Sequence, residues 1–142
     1  MNERVLLVDD EQDFMDVLSE RMRDRGMEVT TTTSPFEAME KAGAENFAAI
    51  ILDLMMPEMN GLEALAQLRE NNPDLQIILL TGHATIEKGI EAMKLGAMDF
   101  LEKPIDIQKL NEKIKEAKAQ KMVLVEKRTE EVIKNIIGCK GW

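Results

Sequence analysis

Four places in the chain carry side chains that could do chemistry together: the acid pair Asp9-Asp10, the single acid Asp53, the hydroxyl of Thr81 and the ammonium of Lys103. Each stands at the end of a short, mainly apolar run: Val5-Leu6-Leu7-Val8, Ala48 to Leu52, Gln76 to Leu80, and Met98 to Glu102. Carboxylates held close together repel one another unless a cation or a proton is shared among them. An all-oxygen donor set favours a hard divalent ion, and Mg²⁺ takes one or two carboxylates plus a phosphate while keeping several waters. An ammonium and a hydroxyl suit phosphoryl oxygens, and a carboxylate such as Asp53 is a nucleophile able to become an aspartyl phosphate. Brought to one place, these residue types would carry out phosphoryl transfer onto Asp53.

They meet only if their runs are strands that end at a common edge. Ala48 to Leu52 is apolar throughout, the pattern of a strand buried on both faces of a parallel sheet. Pro57 ends extended pairing, and Asn60-Gly61 supplies the turn and cap for the next helix. A first helix is expected from about Asp13, with Phe14, Val17, Leu18 and Met22 at three-and-four spacing and Gly26 as its C-terminal cap. Strand two follows as Met27 to Thr33, rich in β-branched residues. Ser34-Pro35-Phe36-Glu37 opens a helix to about Gly43. Asn60 and Glu63 cap another, carrying Leu62, Leu65 and Leu68 and ended by Asn71-Asn72-Pro73. A fourth runs from about Thr85 to Leu95, and Asp106 caps a fifth. Strands alternating with helices imply right-handed βαβ units, so the expected fold is α/β, a doubly wound five-stranded parallel sheet with its polar strand ends on one edge, where ligands bind.

With 142 residues and 44% hydrophobic content, one core is expected rather than two. No apolar run approaches the roughly 18 residues of a transmembrane helix, and Met1 to Arg4 leads straight into a strand, so a cytoplasmic protein with no membrane contact is expected. The one cysteine, Cys139, excludes an internal disulfide or a cysteine metal cluster. A net charge of −9 argues against direct nucleic-acid binding by the domain. The charge is uneven: residues 1–108 hold 22 acidic and 9 basic side chains, whereas residues 109–142 hold 5 and 9. The tail therefore differs in kind from the body, and the expected division is a domain over 1–119 and a helical extension or linker over 120–142.

The Asp9-Asp10 pair, Asp53 with the Met55-to-Gly61 stretch behind it, Thr81, and Lys103-Pro104 preceded by Gly96-Ala97-Met98-Asp99-Phe100 make the chain resemble a known family. It is similar to the receiver domain of bacterial two-component response regulators over about residues 3–119, and Thr81-Gly82-His83-Ala84 has the flavour of the nitrogen-regulatory class. The resemblance implies a flavodoxin-like strand order 2-1-3-4-5 and a histidine kinase whose phosphohistidine donates to Asp53. It implies Mg²⁺ held by Asp10, Asp53 and the backbone carbonyl of Met55, with Asp9 acting mainly through metal-bound water. Lys103, before a cis Pro104, would bind the acyl phosphate. Thr81 would swing toward the phosphoryl group and Phe100 would turn inward to fill the space it leaves, a switch driven by a new charge of about −2. In this family the positions two after the acceptor and two after the hydroxyl, here Met55 and His83, tune dephosphorylation. The apolar bulk of Met55 should hinder an attacking water. His83 by itself reads first as a solvent-facing residue in a loop or at a helix start, with a direct influence on the site, including pH sensitivity, as the alternative. The cluster of Met55, Met56 and Met59 reads as gap filling under a loop or as a partner surface.

Past Asp106, Ile107, Leu110, Ile114 and Ala117 share a helix face, and Leu124, Val125, Val132, Ile136 and Ile137 keep some apolar periodicity, though Lys121 and Arg128 interrupt a strict heptad. A fifth helix extended by several turns is expected, either a solvated linker cut from a longer protein or a dimerising helix that passes the signal to an unknown downstream protein. Nothing after residue 119 reads as a helix-turn-helix. Two alternatives stand beside the switch: a Mg²⁺-dependent phosphohydrolase working through an aspartyl phosphate, for which Met55 occupies the place of a needed second acid, and an excised receiver of a larger DNA-binding regulator.

Overall fold

The computed structural model describes residues 3–54, 56, 59–82 and 86–139. Five parallel strands, β1 (Arg4–Val8), β2 (Glu28–Thr32), β3 (Ala49–Asp53), β4 (Ile77–Thr81) and β5 (Asp99–Glu102), alternate with α1 (Gln12–Asp24), α2 (Pro35–Ala44), α3 (Gly61–Asn71), α4 (Ile86–Lys94) and α5 (Ile107–Cys139). The sheet order is β2-β1-β3-β4-β5, the flavodoxin-like order that the resemblance implies. β1 and β3 lie side by side although β2 separates them in sequence, and this reversal of strand order opens the crevice where such sheets bind ligands.

Alternate side chains along each strand feed two cores. Leu6, Val8, Ile50, Leu52, Ile77 and Leu79 face α2, α3 and α4, which contribute Ala38, Leu65, Leu68 and Ala92. Val5, Leu7, Ile51, Ile78 and Leu80 face α1 and α5, which contribute Met15, Met22, Leu110, Ile114 and Ala117. Burial on both faces is why the central strands read as unbroken apolar runs.

The caps form where the residue types require them. Ser34 Oγ accepts from the Glu37 amide, Asn60 Oδ1 from the Glu63 amide, and Asp106 Oδ1 from the amides of Gln108 and Lys109. Gly26 ends α1 at φ 87°, left-handed geometry in which a side chain would be strained. Strand boundaries shift by one residue at the functional edge. β3 runs to Asp53 and β4 to Thr81, where Leu52 and Leu80 were expected, because the ladder continues past the apolar runs: Leu54 N–H donates to the Leu80 carbonyl and Lys103 N–H to the Thr81 carbonyl. β2 is shorter than expected, Glu28–Thr32 rather than Met27 to Thr33.

Helix α5 is 33 residues long, about 50 Å at 1.5 Å per residue, and it runs on past the sheet. Lys121 donates to Asn46 Oδ1 and the Phe47 carbonyl just before β3, and Arg128 pairs with Asp74 before β4 at 2.6 Å. The two cations that interrupt the heptad are therefore anchors on the amino-terminal edge of the sheet. Burial holds the Lys121 ammonium below the ordinary lysine value, with the Asp74 charge offsetting part of that shift. No helix among the described residues is long and apolar enough to cross a membrane.

Candidate functional site

The strand ends bring the separated groups together. Asp9 and Asp10 follow β1, Asp53 closes β3 beside them, Thr81 closes β4, and Lys103 follows β5. Asp9, Asp10 and Asp53 each offer a carboxylate oxygen, and these oxygens all lie within 4.8 Å of one another. Asp9 and Asp53 are buried whereas Asp10 is exposed, so the cluster is a mouth with two walls and a solvent-facing lip.

Lys103 reaches into the cluster. Its Nζ donates to Asp9 Oδ2 at 2.9 Å, and it lies 3.6 Å from Glu11 and 3.9 Å from Asp53 Oδ2. Burial alone pulls this ammonium down, but the Asp9 hydrogen bond and the charges of Asp53, Asp9 and Glu11 outweigh it, so Lys103 titrates above the ordinary lysine value. The other Asp9 oxygen accepts from the Glu11 amide at 2.9 Å, so both oxygens of the most buried acid are engaged by protein donors. One ammonium among three carboxylates and Glu11 leaves the mouth strongly negative. The oxygen-only donor set, the excess negative charge and the exposed Asp10 fit a hard divalent cation such as Mg²⁺.

Several contributors were legible only as core or turn residues. Phe14 of α1 lays its ring under the Lys103 ammonium, 4.2 Å from Nζ to the ring centre, a cation–π contact that steadies the cation. Gly61 starts α3 against the acceptor strand: its N–H donates to the Leu54 carbonyl at 2.7 Å, and a Cβ there would fall 2.5 Å from Leu54 Cα and 2.6 Å from the Asp53 carbonyl oxygen. Glycine at this point is demanded by the close approach of two backbones. In sequence, Phe14 looked like one more apolar helix position and Gly61 like a turn residue; the spacing held no sign of their contacts.

Phe100 of β5 is half-buried, packs on the core under α4 and shares a small residual cavity with Thr81, Leu54, Leu79, Gly89 and Ala92. The Lys103–Pro104 bond is cis, as expected. Asp99 of β5 pairs with Lys113 of α5 at 3.0 Å. Met55 and His83, expected to tune dephosphorylation, lie outside the described residues, as does the Met55 carbonyl.

The response regulator receiver domain family matches residues 5–115. The phosphoglycerate transport system transcriptional regulatory protein PgtA of Salmonella typhimurium is 33% identical over 124 residues, which is 87% of this chain and 30% of that protein. This chain thus spans under a third of that relative's length. Among solved structures, the beryllofluoride-activated NtrC4 receiver domain dimer is 35% identical with a TM-score of 0.78, covering 83% of this chain and 98% of its own. A response regulator from Burkholderia pseudomallei, solved with a phosphorylated aspartic acid, a calcium ion and citrate, is 31% identical with a TM-score of 0.75, covering 94% and 75%. Strand order, converging acids and sequence likeness agree: the chain belongs to the response regulator receiver family of two-component signal transduction.

Proposed function

We propose that this chain is a phosphorylation-activated switch in which Asp53 accepts a phosphoryl group from the phosphohistidine of a histidine kinase. The observation that carries this reading is the placement of Asp53, a nearly buried carboxylate at a strand end, beside two further acids and 3.9 Å from a lysine that stays charged. The related response regulator solved with a phosphorylated aspartic acid and a calcium ion supports the same chemistry.

In this reading an Asp53 oxygen attacks phosphorus and the histidine nitrogen departs with the bonding electrons. Asp10 and Asp53, with the Met55 carbonyl, would hold Mg²⁺, and a bound Mg²⁺ would neutralise charge on the phosphoryl oxygens. Lys103 neutralises a further oxygen, and Asp9 holds Lys103 in place. Asp9's expected action through metal-bound water agrees with both its oxygens being occupied by protein donors. Thr81 and Phe100 carry the new charge outward as a coupled pair. Met55 and His83 set how long the phosphoryl group survives. The chain acts on itself rather than turning over a substrate.

The output passes through protein contacts in the cytoplasm, with residues 1–119 as the receiver and 120–142 as a helical extension. Beside Lys121 and Arg128, which anchor the helix to the sheet edge, Met122, Val125, Thr129, Val132 and Ile136 form a three-and-four stripe whose apolar members are all about half exposed, with Met122 and Val125 bordering a groove over Asn46 and Phe47. That spacing is a coiled-coil seam. A second copy of this chain is the partner proposed for it. The NtrC4 receiver is itself a dimer, and the transcriptional relatives support a place within a longer regulator. The test is phosphotransfer from an autophosphorylated histidine kinase in Mg²⁺: one phosphoryl group per chain, lost in Asp53→Asn, is expected. Sustained turnover of phosphomonoesters would instead favour the phosphohydrolase.

A further inference from the structure

Gly89 lies in the middle of α4, a nine-residue helix, where glycine is the poorest helix former after proline. Its backbone does not require glycine: among the described residues the positive-φ glycines are Gly26 and Gly96. What is unusual is its neighbour. A Cβ added at Gly89 would fall 2.5 Å from Cε1 of Phe100 and nearer still to Cζ, far inside van der Waals contact. The tip of the Phe100 ring occupies the volume that any other residue would fill.

The space around the ring is lopsided. On its inner side, toward Thr81, Leu54 and Leu79, only about 10 Å³ is open, too little for the ring to retreat. On its outer side a groove of about 480 Å³, lined by Ile90, Met93 and Lys94, opens to solvent. A side chain at position 89 would therefore drive the ring outward, away from Thr81, or lift α4 off the sheet.

We propose that Gly89 is a positioning residue: the notch it leaves in α4 is the seat of Phe100, and its emptiness sets the balance between the inner and outer positions of that ring. The effect of this balance on Asp53 rests on the switch reading above. In that reading the inner ring belongs with the phosphorylated state, so closing the notch disfavours phosphorylation.

The experiment compares wild type, Gly89→Ala, Phe100→Leu and the double variant by three readouts: thermal midpoint, aromatic NMR signals of the four phenylalanines, and the rate of labelling by acetyl phosphate in Mg²⁺. An ordinary helix-interior Gly→Ala raises the midpoint. Here Gly89→Ala is expected to lower it, to move the Phe100 ring signals toward solvent-exposed values and to slow labelling roughly threefold, a modest population shift. In the Phe100→Leu background, which removes the ring tip, the same change should raise the midpoint and leave labelling unaltered. A raised midpoint with unmoved ring signals in Gly89→Ala would overturn the seat. Displaced ring signals with unchanged labelling would overturn its coupling to Asp53. If wild type itself takes no label, the switch reading fails, while the midpoint and ring signals still decide whether Gly89 seats Phe100.

Discussion

Replacing Lys103 by Met keeps the length and apolar stem of the side chain and removes one charge, which isolates the electrostatics of the site. The ammonium is 2.9 Å from Asp9, 3.9 Å from Asp53 and 3.6 Å from Glu11. Unit charges 4 Å apart interact by about 4 kcal/mol at an effective dielectric near 20. Glu11 is mostly solvated, and its pair contributes about 0–1 kcal/mol. Asp9 is fully buried and, among the described residues, would keep only the Glu11 amide as partner, and stranding one member of a buried pair costs about 3–5 kcal/mol. Met restores some apolar contact with Phe14, so a loss of about 3 kcal/mol at pH 7 is expected, measured by urea unfolding at unchanged m-value. The pH dependence has a definite sign. Because the folded-state pKa of Lys103 is raised, its stabilisation is fully present below the unfolded value of 10.5 and is lost as pH rises through the higher folded value. Wild type should therefore converge on the variant only in strong alkali. Added Mg²⁺ should narrow the gap at pH 7 by supplying the missing positive charge. A loss below about 1 kcal/mol, or a gap indifferent to both alkali and Mg²⁺, would refute the pairing of Lys103 with buried carboxylates.

Gly61→Ala should cost about 3 kcal/mol, the upper range for overpacking, because backbone rather than a movable side chain blocks the new methyl, and labelling of Asp53 should slow with it; equal stability in calorimetry would show that the loop gives way. Arg128→Ala should cost about 1 kcal/mol, since Arg128 is half exposed, and should raise amide exchange from Lys121 outward while leaving the sheet protected; uniform exchange rates would deny the anchor. Val132→Lys places a charge in the proposed seam and should shift a self-associating chain to monomer in analytical ultracentrifugation, whereas a substitution at exposed Lys127, off the seam, should not; a wild type that is monomeric at high concentration would remove the second copy as partner.

Much of the fold was legible because β1, β3 and β4 are short apolar runs that end in a polar residue, and α2, α3 and α5 are capped by Ser34, Asn60 and Asp106 at the right offset. Asp53 and Thr81 still came out one residue deeper in their strands than expected, since ladder hydrogen bonds follow backbone register and ignore where hydrophobicity stops. The pairing of Asp9 with Lys103 joins residues 94 positions apart, and spacing alone leaves open which of three acids the lysine takes. Phe14, Gly61 and Gly89 were hidden for a different reason. Their roles depend on what lies opposite them, a ring, a backbone and a ring tip respectively, and one-dimensional periodicity has no access to that. Lys121 and Arg128 show the converse. As breaks in a heptad they counted against a coiled coil, yet on the folded chain they tie α5 to the sheet edge, and the half-exposed apolar stripe runs beside them.

Intact-mass spectrometry after exposure to a small phosphodonor, followed by mapping of the modified residue, tests phosphoryl acceptance most directly. Wild type with Mg²⁺ should gain one phosphoryl group at Asp53, Asp10→Asn should gain it far more slowly while staying folded, and Asp53→Asn should gain none. A wild type that takes no phosphoryl group, or takes it at a residue other than Asp53, would contradict the switch.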